Sequence, residues 1–303
     1  MHKAVAGDHT VLKTFRNLET LPRNAVFAEF LVIAALAVLI PAPMLAEMPS
    51  ASSQTTPQET ARCAAPDDFP HVAACQTRAP LIVIGFMGGR VHANNFAHGE
   101  ARLARDLDQR YPDTVRAFTF ANHDMHHALR TLVELLDTSN DGKLSDNEKN
   151  AARVILFGHS WGASEAIQFA RELEQRGIPV LLTVQVDSVE KSGEDDGAIP
   201  ANVREAVNFY QTEGLLHGRT SIQAVDPKRT TILGSYESTY RVNHVSCTGY
   251  SWYARAFMRS HIEIENDDTV WGKIETLIAA RSCAANVADP VLACNEKLRS
   301  TER

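Results

Sequence analysis

The sequence predicts an α/β fold, a mostly parallel central sheet with helices on both faces. Three observations predict it. From residue 79 onward, strand-like and helix-like stretches alternate, which implies parallel strands joined by helical crossovers. The strand-like stretches are continuous apolar runs, as strands buried on both faces require. No internal repeat breaks the chain into copies. In such a sheet, active sites gather at the carboxyl ends of the strands.

The elements follow in order. Residues 81–85 (LIVIG) form an apolar run closed by glycine, the first strand. Residues 95–110 carry Phe96, Leu103 and Leu107 among charges and read as an amphipathic helix. Residues 115–120 are a second strand, followed by a helix over 125–136. Residues 153–157 (RVILF) are a third strand, and 163–176 a helix closed by Gly177 and Pro179. Residues 180–186 give a fourth strand, 230–236 a fifth, and 269–280 an amphipathic closing helix. The 38 residues from 189 to 226 are too long for a simple crossover. They are expected to cap a pocket, with Phe209, Tyr210, Leu215 and Leu216 either lining an apolar acyl site or serving as packing.

The N-terminal part is different. Lys3, Lys13, Arg16 and Arg23 precede an unbroken apolar run over residues 30–40, and Pro41, Ala42 and Pro43 follow. A basic lead, a short apolar centre and a small-residue exit predict a secretory signal peptide over residues 1–46. Eleven helical residues rise only about 16 Å, short of a ~30 Å hydrocarbon core. Met44 stands where a cleavage site favours alanine. An uncleaved membrane anchor, with membrane association through this segment, is therefore the alternative, and a misassigned start codon a third. Export places the domain in a secreted or periplasmic setting. Residues 47–62, rich in Ser, Thr, Pro and Gln, predict a flexible linker. Residues 63–303 then form one domain; 44% of the whole chain is hydrophobic, enough for a single large core. Of the five cysteines, Cys63–Cys75 and Cys283–Cys294 are plausible local pairs in an oxidising compartment, leaving Cys247 single. A net charge of −7, without clustered Lys and Arg, leaves no footprint for nucleic acid.

Gly158-His159-Ser160-Trp161-Gly162 falls between the third strand and the following helix. A G-x-S-x-G pentapeptide in that context is a nucleophile elbow: small residues on either side let the chain turn sharply and lift the hydroxyl above the sheet. Over roughly residues 80–280 the chain here resembles the α/β-hydrolase superfamily, and GHSWG is similar to the elbow of its esterases, lipases and thioesterases. The resemblance implies an α/β-hydrolase fold and a triad in the order serine, acid, histidine. Of the twelve histidines only His217, His244 and His261 lie beyond the fourth strand. His261, just before the last helix, matches the family's late histidine loop, with His244 as the alternative. Asp187, ending the fourth strand, is the candidate acid, and Glu237, ending the next predicted strand, its alternative. The resemblance also implies an oxyanion hole from two backbone N–H groups. Trp161 supplies one, and the loop Gly85-Phe86-Met87-Gly88-Gly89 the other, from Phe86 or, second, Met87.

Residues 137–148 (DTSNDGKLSDNE) match a twelve-residue EF-hand loop. Oxygen side chains fall at positions one, three, five and nine (Asp137, Ser139, Asp141, Ser145), Gly142 takes the turn at six, Lys143 offers its carbonyl at seven, and Glu148 closes the loop. The loop precedes the third strand, whereas Ser160 follows it, so Ca2+ here is expected to be structural. His123, His126 and His127, spaced for one helix face, are a weaker metal candidate. No organic cofactor is expected. The function expected is acyl transfer from Ser160 on a small-molecule or lipid carboxylic ester. A peptidase or thioesterase of the same fold, or a secreted calcium-binding protein on an inactive scaffold, are the alternatives.

Overall fold

The computed structural model describes residues 79–191 and 193–282, all within one unit of the chain, Ala61–Arg303. The predicted signal segment, the linker and the four cysteines expected to pair lie outside the described residues. Cys247 is a free, buried thiol.

The chain runs β1 (Leu81–Met87), α1 (Gly99–Arg110), β2 (Val115–Ala121), α2 (Met125–Leu136), α3 (Asp146–Ala151), β3 (Val154–His159), α4 (Trp161–Gln175), β4 (Val180–Val186), β5 (Ala198–Ile199), β6 (Val203–Tyr210), β7 (Gln223–Ala224), β8 (Thr231–Glu237), α5 (Trp252–Phe257), α6 (Arg259–Glu265) and α7 (Asp268–Ser282). Six strands form the main sheet in the order β2-β1-β3-β4-β6-β8, and all its pairings are parallel. β5 and β7 form a separate two-residue pair.

The apolar runs explain the two layers. Successive strand residues point to opposite faces. Ile82, Ile84 and Phe86 of β1, with Val154 and Leu156 of β3, pack against Leu132 of α2 and Ile167 and Phe169 of α4. Leu81 and Val83, with Ile155 and Phe157, face Leu103 and Leu107 of α1 and Ile274 and Ile278 of α7. The fold class therefore holds. Among the described residues no helix is long and apolar enough to cross a membrane.

Two expectations are corrected. The segment expected to cap a pocket contains a strand of the main sheet: β6 pairs with β4 on one side and β8 on the other. Phe209 is a core residue, 2% exposed, stacked on Tyr236 with ring centroids 5.6 Å apart, which is the packing role of the two expected for it. Arg204, Glu205 and Asn208 interrupt the apolar pattern of this strand and hid it. Glu205 is paired with Arg281 of α7, and Asn208 donates to the Arg219 carbonyl at 2.8 Å. The second correction concerns the predicted histidine loop, which is the short helix α6, with His261 in its first turn.

Candidate active site

β3 ends at His159 and α4 begins at Trp161, so a single residue turns the chain. That residue, Ser160, has φ 55° and ψ −126°, a conformation sparsely populated by L-residues and held only where its surroundings over-determine it. The surroundings here are backbone. A methyl group at Gly162 would lie 2.0 Å from the Phe86 carbonyl oxygen, and one at Gly158 would lie 2.3 Å from the Gly162 carbonyl carbon. Only glycine at both positions lets the turn close this tightly. The Ser160 N–H donates to the Val186 carbonyl at 3.0 Å, and the Val189 N–H to the Ser160 carbonyl at 3.3 Å. The serine is thereby tied to both sides of Asp187.

Asp187 follows β4, has φ 43° and is fully buried. Its Oδ1 accepts from the Gly218 N–H at 2.7 Å and the Gln211 N–H at 3.2 Å. Its Oδ2 accepts from Gln211 Nε2 at 2.8 Å and from His261 Nδ1 at 2.6 Å. Burial pushes the carboxyl up, but the hydrogen bonds from His261 and Gln211 and the neighbouring imidazole charge outweigh it and hold its pKa below the ordinary carboxylate value. A carboxylate on Nδ1 fixes the ring's tautomer and leaves Nε2 as the basic nitrogen.

The alternatives sit elsewhere. His244 faces Glu263 at 3.0 Å, and His217 is exposed beside the Gly218 carbonyl. Glu237 is exposed and accepts from Thr212 Oγ1 at 2.6 Å. The structure thus brings Asp187 and His261 together beside the Ser160 turn and leaves His244 and Glu237 out. Phe86 and Met87 are buried and end β1, rather than lying in a loop, with the Phe86–Met87 peptide against Gly162. Trp161 opens α4. The N–H of Gly88 is engaged by Glu100 Oε1 at 2.9 Å.

Sequence reasoning missed Gln211 and Gly218, because both depend on β6. It also passed over His159, which is buried inside the pentapeptide itself. Its Nε2 faces the His261 carbonyl at 3.1 Å, and the two imidazole centroids lie 4.5 Å apart. Burial drives the His159 pKa down from 6.5 to about 4. The folded protein therefore binds fewer protons than the unfolded chain between those values, and stability falls as pH drops through that window. The expected loss, about 3 kcal/mol at ~1.4 kcal/mol per pKa unit, is complete near pH 4. Urea unfolding in chelator between pH 7 and 4 checks it, and a His159→Gln variant should show a flatter profile.

The EF-hand-like residues gather at the opposite end of β3. Asp137 accepts from the Gly142 N–H at 2.8 Å, the Asp141 N–H at 3.3 Å and Ser139 Oγ at 3.2 Å. Asn140 and Gly142 both have positive φ, 53° and 78°. Glu148 reaches back to the Ser139 N–H at 3.0 Å and Thr138 Oγ1 at 2.9 Å, while forming the capping box of α3 with Ser145. Those hydrogen bonds, Ser145 first, lower its carboxyl to about 2. The Lys143 N–H donates to Asp141 Oδ1 at 2.8 Å. His123, His126 and His127 are exposed; His127 stands 3.4 Å from Asp124 and packs edge-on to Phe120.

A surface cavity of about 410 Å³ is lined by His244 to Thr248, Arg255 and Arg259, and Ser160, Asp187 and His261 are not among its lining residues. Its Cys247 donates to the Val245 carbonyl at 3.5 Å, and burial pushes the thiol pKa up, so it is not an activated nucleophile.

No family model matches the chain, and no curated protein matches it. Solved structures similar to it include a YdeN-like hydrolase from Pectobacterium atrosepticum, 16% identical, covering 67% of this chain and 91% of that one with a TM-score of 0.34. The RedJ thioesterase of the prodiginine biosynthetic pathway in Streptomyces coelicolor is 12% identical over 68% of this chain and 96% of its own, TM-score 0.32. An esterase/lipase from an uncultured bacterium is 11% identical over 70% and 80%, TM-score 0.36. The fold assignment rests on the sheet order and the strand–turn–helix at Ser160.

Proposed function

We propose that the chain is a serine hydrolase of carboxylic esters, with Ser160 as nucleophile, His261 as general base and Asp187 as the acid that orients it. The observation that carries this reading is the backbone of Ser160, turned between strand and helix beside a buried Asp187–His261 pair at 2.6 Å. In the reaction His261 Nε2 takes the hydroxyl proton as Ser160 Oγ attacks the ester carbonyl. The N–H of Trp161 and that of Phe86 or Met87 stabilise the oxyanion. Collapse expels the alcohol, which takes the proton from His261, and water attacks the acyl-enzyme by the same route. Trp252, Tyr253 and Phe257, exposed on α5 just before the histidine helix, support an apolar acyl group or a lipid ester. A panel of p-nitrophenyl esters of graded acyl length, thioesters and peptide amides tests the substrate class. Ester turnover is expected, and cleavage of amides alone would redirect the reading to a peptidase.

The loop from Asp137 to Glu148 is proposed to bind Ca2+ as a structural ion. Carboxylates at its first and last positions facing the same turn support this, and six to eight oxygen ligands suit that cation. β3 spans about 20 Å at ~3.3 Å per residue, so an ion there has no part in acyl transfer. Saturating Ca2+ at about 100 times its Kd stabilises by ~2.7 kcal/mol, roughly 5–10 °C in Tm for a domain of this size. Chelation is expected to lower Tm by that amount while leaving kcat at 25 °C unchanged, and Glu148→Gln to abolish the difference. The basic-then-apolar pattern of the N-terminal residues supports an exported domain, cleaved or membrane-anchored.

A further inference from the structure

Directly behind the elbow, three ionisable side chains converge that acyl transfer does not use, and a fourth, His159, reaches one of them. His98 caps α1, Glu100 lies in its first turn, His159 ends β3 and Glu265 ends α6. Ligand atoms of His98, Glu100 and Glu265 all lie within 4.8 Å of one another. Glu100 is 0% exposed, and His159 and Glu265 are 3% each.

Hydrogen bonds account for only part of this cluster. His98 Nδ1 contacts Glu265 Oε1, the Tyr250 hydroxyl donates to Glu265 Oε2 at 2.7 Å, and the Gly88 N–H takes Glu100 Oε1. Glu100 Oε2 and His159 Nδ1 are buried without a hydrogen-bond partner. Because His159 Nε2–H donates to the His261 carbonyl, Nδ1 carries a lone pair, and burial keeps the ring neutral. That lone pair faces Glu265 Oε2 at 3.7 Å. An acceptor facing an acceptor at that separation is not a hydrogen bond. It is close to the roughly 3.4 Å between two ligands that share a tetrahedral cation at 2.0–2.1 Å. Buried carboxylates are otherwise found paired or on metals.

We propose that His98, Glu100 and Glu265, one ligand atom each, form a buried site for a first-row transition dication, Zn2+ foremost, with His159 Nδ1, 3.7 Å from Glu265 Oε2, as the donor nearest its fourth position. One imidazole and two carboxylates are three protein ligands of a zinc site, whose fourth position a water or His159 Nδ1 completes; calcium takes six to eight oxygens and does not suit it. The surrounding bonds are those of a metal site's outer shell. The neighbouring His159 donates its other N–H to a backbone carbonyl, and the ligand carboxylates accept from Gly88 and Tyr250. The ion would join α1, the end of β3 and α6, bracing the segments that carry Gly88, Ser160 and His261 without touching substrate. The rival arrangement is a proton shared between the two carboxylates, since burial and the adjacent Glu265 hold the Glu100 pKa well above its ordinary value.

The test is metal retention by the full chain, stripped with chelator and then incubated with Zn2+ in excess Ca2+, so that the EF-hand-like loop is filled by Ca2+. Elemental analysis after gel filtration should find about one Zn2+ per chain. Glu100→Gln and Glu265→Gln should each weaken retention by roughly 100-fold or more, whereas Glu148→Gln and Ser160→Ala should leave it intact. Co2+ added to the stripped wild-type protein should give the intense visible bands of a four-coordinate site, a reading that needs no variant to fold. Folded wild-type protein that retains no Zn2+, a Co2+ spectrum of the six-coordinate aqua ion, or retention unchanged in both Gln variants would overturn the site and leave the shared proton. The readout uses no substrate, so its failure leaves the ester reading standing.

Discussion

Ser160→Ala is expected to lower kcat/KM for p-nitrophenyl esters by about 10⁵-fold or more while the protein stays folded. The size of the effect follows from the mechanism: without the hydroxyl there is no covalent intermediate, and His261 and the oxyanion donors act on water alone. Stability should change little. Ser160 is 8% exposed, its turn is held by backbone hydrogen bonds at its own N–H and carbonyl, and alanine at φ 55° meets the strain that serine already carries. Steady-state kinetics beside a urea titration separates loss of chemistry from loss of fold. A fall of less than tenfold in a stable variant would remove Ser160 from the reaction.

Asp187→Asn should cost about 10⁴ in kcat, since the neutral amide no longer holds His261 with its proton on Nδ1. It should also cost stability, unlike the serine change. The carboxylate accepts four hydrogen bonds, from the Gln211 N–H, Gln211 Nε2, the Gly218 N–H and His261. An amide turns one of its acceptor positions into a donor facing another donor. Breaking a fully buried charged network from one side costs about 3–5 kcal/mol. Glu237→Gln, on an exposed carboxylate with a single threonine partner, should leave kcat within a factor of about 2 and stability within ~0.5 kcal/mol. Kinetics and urea midpoints of the pair check both statements, and equal losses in the two variants would mean that Asp187 has no special role.

What the sequence made legible was local. The runs LIVIG and VILF identify themselves because strands covered on both faces need no polar residues. The elbow is readable because its two glycines and serine lie within five residues. β6 escaped because its polar residues are satisfied from afar: Glu205 by Arg281, 76 residues on, and Asn208 by the Arg219 carbonyl. Losing β6 concealed Gln211 and Gly218, the partners that hold Asp187. The buried cluster behind the elbow was hidden for a similar reason. Glu100 reads as one charge among those of the amphipathic helix expected over residues 95–110, and only the packing of α1 against α6 brings it to Glu265, whose carboxylate the Tyr250 hydroxyl reaches from a third segment.

The central claim, an activated serine at position 160, is tested most directly by a fluorophosphonate probe on the folded full chain, with the adduct located by peptide mass spectrometry. The account predicts one modified residue, Ser160, and labelling that slows sharply in His261→Ala. A folded protein that stays unlabelled, or that is modified at a different serine, would contradict it.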